Sequence, residues 1–251
     1  MLSKNGVKYY STLLLKKYRD RERKFIVEGK RLVEEALNSS FECEVVVVTQ
    51  KFVDLYPELI SNIKNNHTLE IVKEVDFKRM TDTQNPQGIL AVLKKKNLKF
   101  MFEPNSNFIL ALENISDPGN LGTIFRNADW FGIGQIILSN DSAEVYNPKV
   151  LRASMGSVFH VEFSDGLDLY HELTHLKEKG YQIVTADMDG ENVYSFNKPE
   201  KFVLVLCSEA HGASDKLLQI TDTQITIPRK GKAESLNVAS ASAVILSELT
   251  K

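Results

Sequence analysis

The sequence predicts an α/β protein, in which a parallel sheet with helices on both faces follows a smaller α/β domain. Three observations lead to this. The second half repeats a strand-then-helix rhythm. Its strands have apolar residues at both odd and even positions, as a parallel sheet covered on both faces requires. A polar, basic stretch at 94–107 separates this half from a front part in which short helical and strand-like segments alternate.

The front part contains helices and strands in turn. Helical spacing of apolar residues predicts helices at 7–18, 29–37 and 52–64. Short apolar runs predict strands at 25–28, 44–49, 69–72 and 88–93. Because the stretch at 94–107 has the composition of a linker and holds Pro104, we place a boundary near residue 100, with one domain over 1–100 and the other over 104–251.

The second part continues with longer elements. Its predicted strands are 108–113, 135–139, 158–163, 182–187, 202–207 and 224–228. Helices are predicted at about 120–131, 147–155, 166–179, 213–219 and 236–249. This alternation is typical of a doubly wound sheet.

Length and composition set the outer limits. A chain of 251 residues that is 43% hydrophobic and 25% charged has room for one large or two small domains. No run approaches the roughly 18 to 20 apolar residues of a membrane span, and the polar start lacks the apolar core of a secretion signal, so we expect a cytoplasmic protein. Cys43 and Cys207 support neither a disulfide framework nor a Cys-rich zinc site.

Positive charge is concentrated at the start of the chain. Residues 1–31 hold ten Lys or Arg against three acidic residues, a net +7, whereas the remainder carries −9. One interpretation is a solvated helix end. The other is a phosphate-binding face, because Tyr9, Tyr10 and Tyr18 can stack on bases, although Tyr10 and Tyr18 also fit a core stripe. The candidate RNA-binding residues are Lys16, Lys17, Arg19, Arg21, Arg23, Lys24, Lys30 and Arg31.

Three loops that follow predicted strands carry unusual sequences, and ligands of open α/β sheets bind at the carboxyl ends of strands. The first, 113–132, places a Pro-Gly turn before a helix with Arg126, and a basic helix start suits a phosphate. The second, 206–214, has Glu209 directly after a strand, and the third is 227–249. The glycines do not form G-x-G-x-x-G, so we do not expect a nicotinamide-type cofactor.

Taken singly, these segments also have structural interpretations. Glu234, Ser235 and Asn237 precede an apolar helix, where such residues commonly cap the first turn. His211 alone fits an ordinary loop residue. Only the combination of the three segments indicates a function.

Together and in this order, NLGTIFRNA, LCSEAHG and IPRKGKAESLNVASA resemble the three motifs of the SpoU–TrmH branch of the SPOUT methyltransferases, over about residues 108–251. The front segments FIVEGKRLVEEAL and NPQGILAV are similar to the ribosomal-protein-like RNA-binding domain of ribosomal-RNA members. The resemblance implies an RNA ribose 2′-O-methyltransferase that uses S-adenosylmethionine, a C-terminal trefoil knot and a homodimer with a shared active site. The apolar final helix, with small residues at 239–243, also needs a partner surface.

The resemblance implies site residues as well. The active-site positions are Asn120, Arg126, Glu209, Ser235 and Asn237. The cofactor-binding positions are Thr185, Leu206, Cys207, Gly212, Ile227 and Leu236. The family usually has a glycine at the position of Cys207, so either the backbone keeps its conformation there or the cofactor pocket changes. We expect cofactor binding to survive because cysteine is small.

The reaction requires a ribose hydroxyl to lose a proton and attack a methyl group in line. Two roles are open for Arg126. In family accounts it is often the base. Alternatively it clamps a phosphate and orients the ribose, while Ser235, Glu209 or water takes the proton, because a guanidinium normally stays protonated. No cluster of His, Cys or carboxylates with ligand spacing lies near the three segments, so we expect no metal.

Two other functions stay open. A catalytically silent RNA-binding or ribosome-assembly protein could keep the fold, but it has no evident need for all five active-site residues. A transfer-RNA methyltransferase would share the catalytic part, but a separate front domain is more typical of ribosomal-RNA members. We therefore predict a ribosomal-RNA substrate of the 23S type.

Overall fold

The computed structural model of the protein describes residues 2–96, 106–208 and 212–251. The contacts divide the chain into two units. The first unit combines the described residues up to 96 with Tyr146–Phe159, and the second combines 106–145 with His160–Lys251. The helix predicted at 147–155 therefore lies with the front part of the chain, although the sequence places it between strands of the second.

In the first unit, short helices pack around a small sheet. The helices are α1 (Lys4–Thr12), α2 (Lys16–Glu22), α3 (Lys30–Leu37), α4 (Gln50–Leu55), α5 (Pro57–Asn66), α6 (Glu74–Phe77) and α8 (Pro148–Ser154), with 3₁₀ turns at Lys78–Met80 and Ser157–Phe159. The strands are β1 (Lys24–Glu28), β2 (Cys43–Thr49), β3 (Leu69–Val72) and β4 (Ile89–Lys94). Among the described residues they form one sheet in the order β1-β4-β2-β3, with β4 antiparallel to both its neighbours and β2 parallel to β3.

Two predicted helices of this unit are broken. The apolar stripe at 7–18 predicted one helix, but the structure has α1 and α2 with a turn between them. Buried Arg19 holds that turn, since its Nη1 donates to the carbonyl oxygens of Leu13 and Leu14, at 2.9 and 2.8 Å. The helix predicted at 52–64 divides into α4 and α5 at Pro57, which has no backbone N–H to donate inside a helix.

Aromatic packing explains why Tyr146–Phe159 belongs to the first unit. The ring of Phe25 in β1 lies 4.3 Å from that of Tyr146, and the ring of Phe41 lies 5.4 Å from that of Phe159, centroid to centroid. The start of the strand predicted at 158–163 is wrong, because Phe159 is buried in a 3₁₀ turn and the strand runs over Glu162–Leu167. An apolar run alone does not distinguish a strand from a buried turn.

The second unit contains the predicted parallel sheet. Its helices are α7 (Pro118–Trp130), α9 (Leu169–Glu178), α10 (Asp215–Ile220) and α11 (Val238–Leu249). Its strands are β5 (Phe108–Glu113), β6 (Gln135–Ser139), β7 (Glu162–Leu167), β8 (Gln182–Asn192), β9 (Phe202–Cys207) and β10 (Thr223–Thr226). In the described part of the chain they form one sheet in the order β10-β8-β9-β5-β6-β7, with every pair parallel. The α/β class is confirmed.

Both faces of this sheet are buried, as its uninterrupted apolar strands required. On one face, Ile109 and Val203 pack with Leu173 of α9 and Leu217 of α10. On the other face, Leu110 is fully buried, and α11 packs against α7 and β9. A parallel sheet brings the carboxyl ends of its strands to one edge, and the segments with the three motifs begin at that edge.

The predicted linker at 94–107 lies largely outside the described residues. The strand before it, β4, ends at Lys94, and β5 begins at Phe108. Across the described ranges, no helix is both long enough and apolar enough to cross a membrane.

Candidate active site

The first motif forms the start of α7, at the carboxyl end of β5. Asp117 caps this helix by accepting a hydrogen bond from the backbone N–H of Asn120 at 2.8 Å, and Pro118 occupies the first helical position. Asn120 is partly buried, whereas Arg126 is exposed further along the helix. The structure thus places two of the predicted active-site residues on one rigid element.

Asparagine side chains join α7 to α11. The Oδ1 of Asn237 accepts from two backbone N–H groups in the first turn of α11, and its Nδ2 donates to Oδ1 of Asn120 at 3.0 Å. Asn127 donates from Nδ2 to the carbonyl oxygen of Ala239 at 2.9 Å and to Oγ of Ser242 at 2.8 Å. Asn237 therefore caps a helix, as the structural interpretation expected, and also links the first and third motifs.

Helical geometry places Arg126 beside this connection. Asn120 and Asn127 are seven residues apart, so they lie on nearly the same face of α7. Arg126 is rotated by about 100° from Asn127. The asparagines therefore fix α7 against α11 while the guanidinium of Arg126 faces solvent.

Glu113 organises the second motif. It ends β5 and lies opposite Cys207 of β9 in the sheet register. Its carboxylate accepts from the backbone N–H of Ser214 at 3.0 Å and from Oγ of Ser214 at 2.6 Å, and its carbonyl oxygen accepts from the backbone N–H of Ser208 at 3.1 Å. Glu113 thus ties together the two ends of the segment that contains the predicted active-site residue Glu209. Glu209 itself lies outside the described residues, as does His211.

Cys207 stays within the regular strand β9. Burial raises the pKa of its thiol, and so do the negative charge of Glu113 and a hydrogen bond to that carboxylate. The side chain of Cys207 is therefore accommodated in a strand that pairs with β5 as far as this residue. A thiol that stays protonated is a small apolar neighbour and a poor nucleophile.

The other predicted cofactor residues differ in how deeply they are buried. Leu206 of β9 and Thr185 of the adjacent β8 are buried, and Oγ1 of Thr185 lies 2.8 Å from Oγ1 of Thr221. Ile227 is partly buried, whereas Ser235 and Leu236 belong to an exposed segment before α11. Gly212 is exposed with φ +64°. Among the residues that the structure describes, no group of three or more His, Cys, Asp or Glu side chains could hold a metal ion.

The roles of two residues that organise this region, Asn127 and Glu113, were not predicted from the sequence. Asn127 resembles a polar residue on the outer face of a helix, and nothing in its local sequence indicates a partner on α11. Glu113 did carry a signal, because a carboxylate that ends a buried strand lies at the ligand-binding edge.

The predicted RNA-binding cations differ in exposure. Lys16, Lys17 and Arg31 are exposed. Arg21 is also exposed, with its guanidinium carbon 4.7 Å from the ring centroid of Tyr18. Arg23 is exposed in a left-handed conformation, with φ 55°, at the end of α2. These five cations are accessible to a ligand.

The remaining three cations are less exposed, and their partners lie within the first unit. Arg19 is 2% exposed and holds the turn between α1 and α2. Burial opposes the charge of Lys24, but hydrogen bonds to Glu44 and Tyr9 outweigh it and raise the pKa of the Lys24 ammonium. Lys30 pairs with Glu34, with N and O 3.6 Å apart.

Comparison with known proteins identifies both parts of the chain. Residues 107–247 match the SpoU rRNA Methylase family, and residues 4–91 match the MRM3-like substrate binding domain. The chain belongs to the SpoU rRNA methylase family. The predicted family, the use of S-adenosylmethionine and the RNA methyltransferase class are confirmed.

Relatives cover both units. The 23S rRNA (guanosine(2553)-2′-O)-methyltransferase RlmP of Bacillus subtilis is 32% identical over 97% of this chain and 95% of its own length. A TrmH-family structure from Porphyromonas gingivalis is 36% identical, with a TM-score of 0.86 over 99% of this chain and 98% of that one. An AdoMet-bound rRNA methyltransferase from Sinorhizobium meliloti is 26% identical, with a TM-score of 0.84 over 99% and 95% of the two chains.

Proposed function

We propose that this protein transfers the methyl group of S-adenosylmethionine to a ribose 2′-hydroxyl of ribosomal RNA of the 23S type. One observation carries the proposal: a 23S rRNA 2′-O-methyltransferase aligns with 97% of this chain, including the front part. The front part also matches a substrate-binding domain. A shared catalytic domain alone would not favour ribosomal RNA over transfer RNA.

The carboxyl edge of the sheet fits the cofactor. Ile227 and Leu236 offer apolar surface for an adenine ring, since Ile227 is partly exposed and Leu236 is 50% exposed, whereas Leu206 lies buried in β9. Among the described residues, apart from the chain neighbours of Gly212, no heavy atom lies within 4 Å of the position that a Cβ on Gly212 would take, so the described part of the chain leaves that backbone open to a ligand. When bound, S-adenosylmethionine supplies an electrophilic methyl group.

The predicted active-site residues on α7 and before α11 position the target ribose. The exposed guanidinium of Arg126 suits a two-point hold on the phosphate beside the target nucleotide. Asn237, fixed by α11 and by Asn120, holds the segment before α11 to the start of α7. A guanidinium stays protonated in proteins, so the hydroxyl proton leaves toward Ser235, Glu209 or a water.

In the front domain, which we place over residues 1–100, the accessible cations Lys16, Lys17, Arg21, Arg23 and Arg31 bind RNA phosphates. Arg19 instead stabilises the turn between α1 and α2. Removing residues 1–103 is a poor test of RNA binding by these cations, because the aromatic partners of Tyr146 and Phe159 would be lost with them. Charge reversal at Lys16, Lys17, Arg21 and Arg31 tests it in the intact chain, and an unchanged RNA affinity at low salt would contradict it.

The proposal includes a homodimer, a C-terminal trefoil knot and a cytoplasmic location. Ala241, Ala243 and Val244 of α11 are only partly buried within the chain, and Trp130 at the end of α7 is 82% exposed. Light scattering that gives the 28.4 kDa monomer mass at micromolar concentrations would contradict the dimer. A crystal structure that traces residues 205–237 would decide the knot, and a fluorescent fusion would decide the location.

Mapping ribose methylation in total RNA, from cells with and without this protein, tests the function. We expect one site in large-subunit ribosomal RNA to lose its methyl group and to regain it when the protein is restored. A lost site in transfer RNA would instead identify that substrate. Cofactor binding with no lost site would indicate a catalytically silent RNA-binding protein. Purified protein should also stay active with a chelator if the RNA remains folded.

A further inference from the structure

The first unit contains a groove that the proposed active site does not use. Its volume is about 720 Å³, and it lies between the start of α3, the helix α4 and residues 84–88 before β4. All the residues that line it belong to the first unit. Ligand sites commonly have volumes of about 300 to 1,000 Å³, so the groove is large enough for a nucleotide.

The groove is positively charged. Four basic residues line it against two acidic ones: Lys30, Arg31, Lys51 and Lys78 against Glu34 and Glu74. Since Lys30 pairs with Glu34, the exposed Arg31, Lys51 and Lys78 provide the accessible charge. A concave surface with excess positive charge concentrates polyanions such as nucleic acid.

An aromatic ring with a fixed support stands in the groove. Tyr56, at the break between α4 and α5, is 39% exposed, and its ring centroid lies 4.7 Å from that of the fully buried Phe52. The ammonium nitrogen of Lys30 lies 5.2 Å from the Tyr56 centroid. A partly exposed ring held on a buried one is a ready surface on which an unpaired base can stack.

Residues 84–88, which also line the groove, are held in place and carry amide groups. Oε1 of Gln87 accepts from the backbone N–H of Lys30 at 2.8 Å. Gly88 has φ +89°, and a Cβ there would lie 2.5 Å from Oγ1 of Thr49, so only glycine lets this segment pack so closely. Gln84 and Asn85 are exposed on the same segment and line the groove. Amides provide both donors and acceptors for base edges.

We propose that this groove binds an unpaired nucleotide of the substrate RNA, with its base stacked on Tyr56. The amides of Gln84 and Asn85 contact the base edge, and Arg31 and Lys51 contact the flanking phosphates. The identity of the RNA rests on the proposed function, but the site itself rests on the groove. Bases inside a duplex are not available for stacking on a side chain, so the site selects a loop or bulge.

Fluorescence anisotropy with the full-length protein tests the stacking. The probes are a fluorescein-labelled octauridylate and an RNA duplex. Tyr56→Ala should weaken octauridylate binding about fivefold or more, and Tyr56→Phe should stay within about twofold because it keeps the ring. Duplex binding should not depend on Tyr56. Tyr170→Ala on α9 is the matched control, because Tyr170 is 41% exposed and lies outside the groove.

A charge variant keeps the proposal testable if Tyr56→Ala folds poorly. Lys51→Glu should weaken octauridylate binding and flatten its salt dependence, whereas Lys64→Glu, on α5 outside the groove, should change binding less. Wild-type octauridylate binding by Lys51→Glu, or by a well-folded Tyr56→Ala, would overturn the proposal. Preference for an oligoglutamate probe over octauridylate would also overturn it, in favour of an acidic protein partner.

These outcomes separate the groove from the enzyme. If the wild-type protein methylates ribosomal RNA and the groove variants match it, the groove proposal fails and the proposed function stands. If the wild-type protein methylates no RNA but binds octauridylate in a Tyr56-dependent way, the proposed function fails and the groove proposal stands.

Discussion

The carboxyl edge of the six-stranded sheet and the groove of the first unit present polar side chains in different ways. At the sheet edge, Arg126 stands on a helix that Asn120 and Asn127 hold against α11, so one exposed group is placed by hydrogen bonds with defined partners. In the groove, several cations surround one supported ring, that of Tyr56. The first arrangement suits chemistry, which depends on position, and the second suits binding, which adds many contacts.

The difference predicts how each region responds to substitution. Changes at the sheet edge should lower kcat or the affinity for the cofactor and leave RNA affinity nearly unchanged, because they remove interactions made in the transition state or with the cofactor. Changes in the groove should raise KM for RNA and leave kcat at saturating RNA unchanged.

The largest effect is expected at Arg126. Arg126→Ala should lower kcat by at least about a hundredfold, because it removes a positioning or proton-transfer group, and should leave the Kd for S-adenosylmethionine unchanged. Arg126→Lys should recover little, because lysine lacks the planar two-point grip on phosphate. Single-turnover kinetics and calorimetry measure the two quantities, with exposed Arg79→Ala as the control. A near-normal rate with lysine would show that charge alone suffices.

A smaller effect is expected at Asn237. Asn237→Ala removes the cap of α11, at a cost of about 1 kcal/mol in unfolding free energy, and also the hydrogen bond to Asn120. We expect a lower Tm and about a tenfold lower kcat. Asn237→Asp keeps the capping acceptor and loses the donor to Asn120, so it should recover Tm and not kcat. If the aspartate variant recovers both, Asn237 acts only as a cap.

Glu113→Gln should have a still smaller effect, and mainly on the cofactor. The substitution keeps the size of the side chain but removes the charge that strengthens its two hydrogen bonds from Ser214. Loosening of the segment between Ser208 and Ser214 should weaken S-adenosylmethionine binding about fivefold, equal to ~1 kcal/mol. Calorimetry measures this, with exposed Glu58→Gln as the control. A change in RNA affinity without a change in cofactor affinity would contradict this role and would group Glu113 with the RNA-binding residues.

The smallest effect concerns the two thiols. Burial raises the pKa of Cys43 to about 11, and burial and Glu113 raise the pKa of Cys207, so both stay protonated at neutral pH. Their reaction with Ellman's reagent should be slow and should rise about tenfold per pH unit on the alkaline side, because the thiolate is the reactive form. Glu113→Gln should speed the reaction of Cys207 and not that of Cys43. Equal rates in folded and unfolded protein would contradict the raised pKa values.

The sequence by itself determined the sheet and the family. The strands Phe108–Glu113 and Phe202–Cys207 were predicted to the residue, because they are short runs with apolar residues at both odd and even positions, which is the pattern of a strand buried on both faces. The three motifs identified the methyltransferase class because, together and in this order, they resemble those of a known family.

Only the tertiary structure decided which partner each residue has. Arg19 and Arg126 look alike in the sequence, yet Arg19 is buried on two carbonyl oxygens and Arg126 is exposed. Phe159 fitted a strand, but its ring packs on Phe41, more than a hundred residues earlier in the chain. Apolar periodicity shows which face of an element is buried. It does not show what covers that face, because the covering residues come from distant parts of the chain.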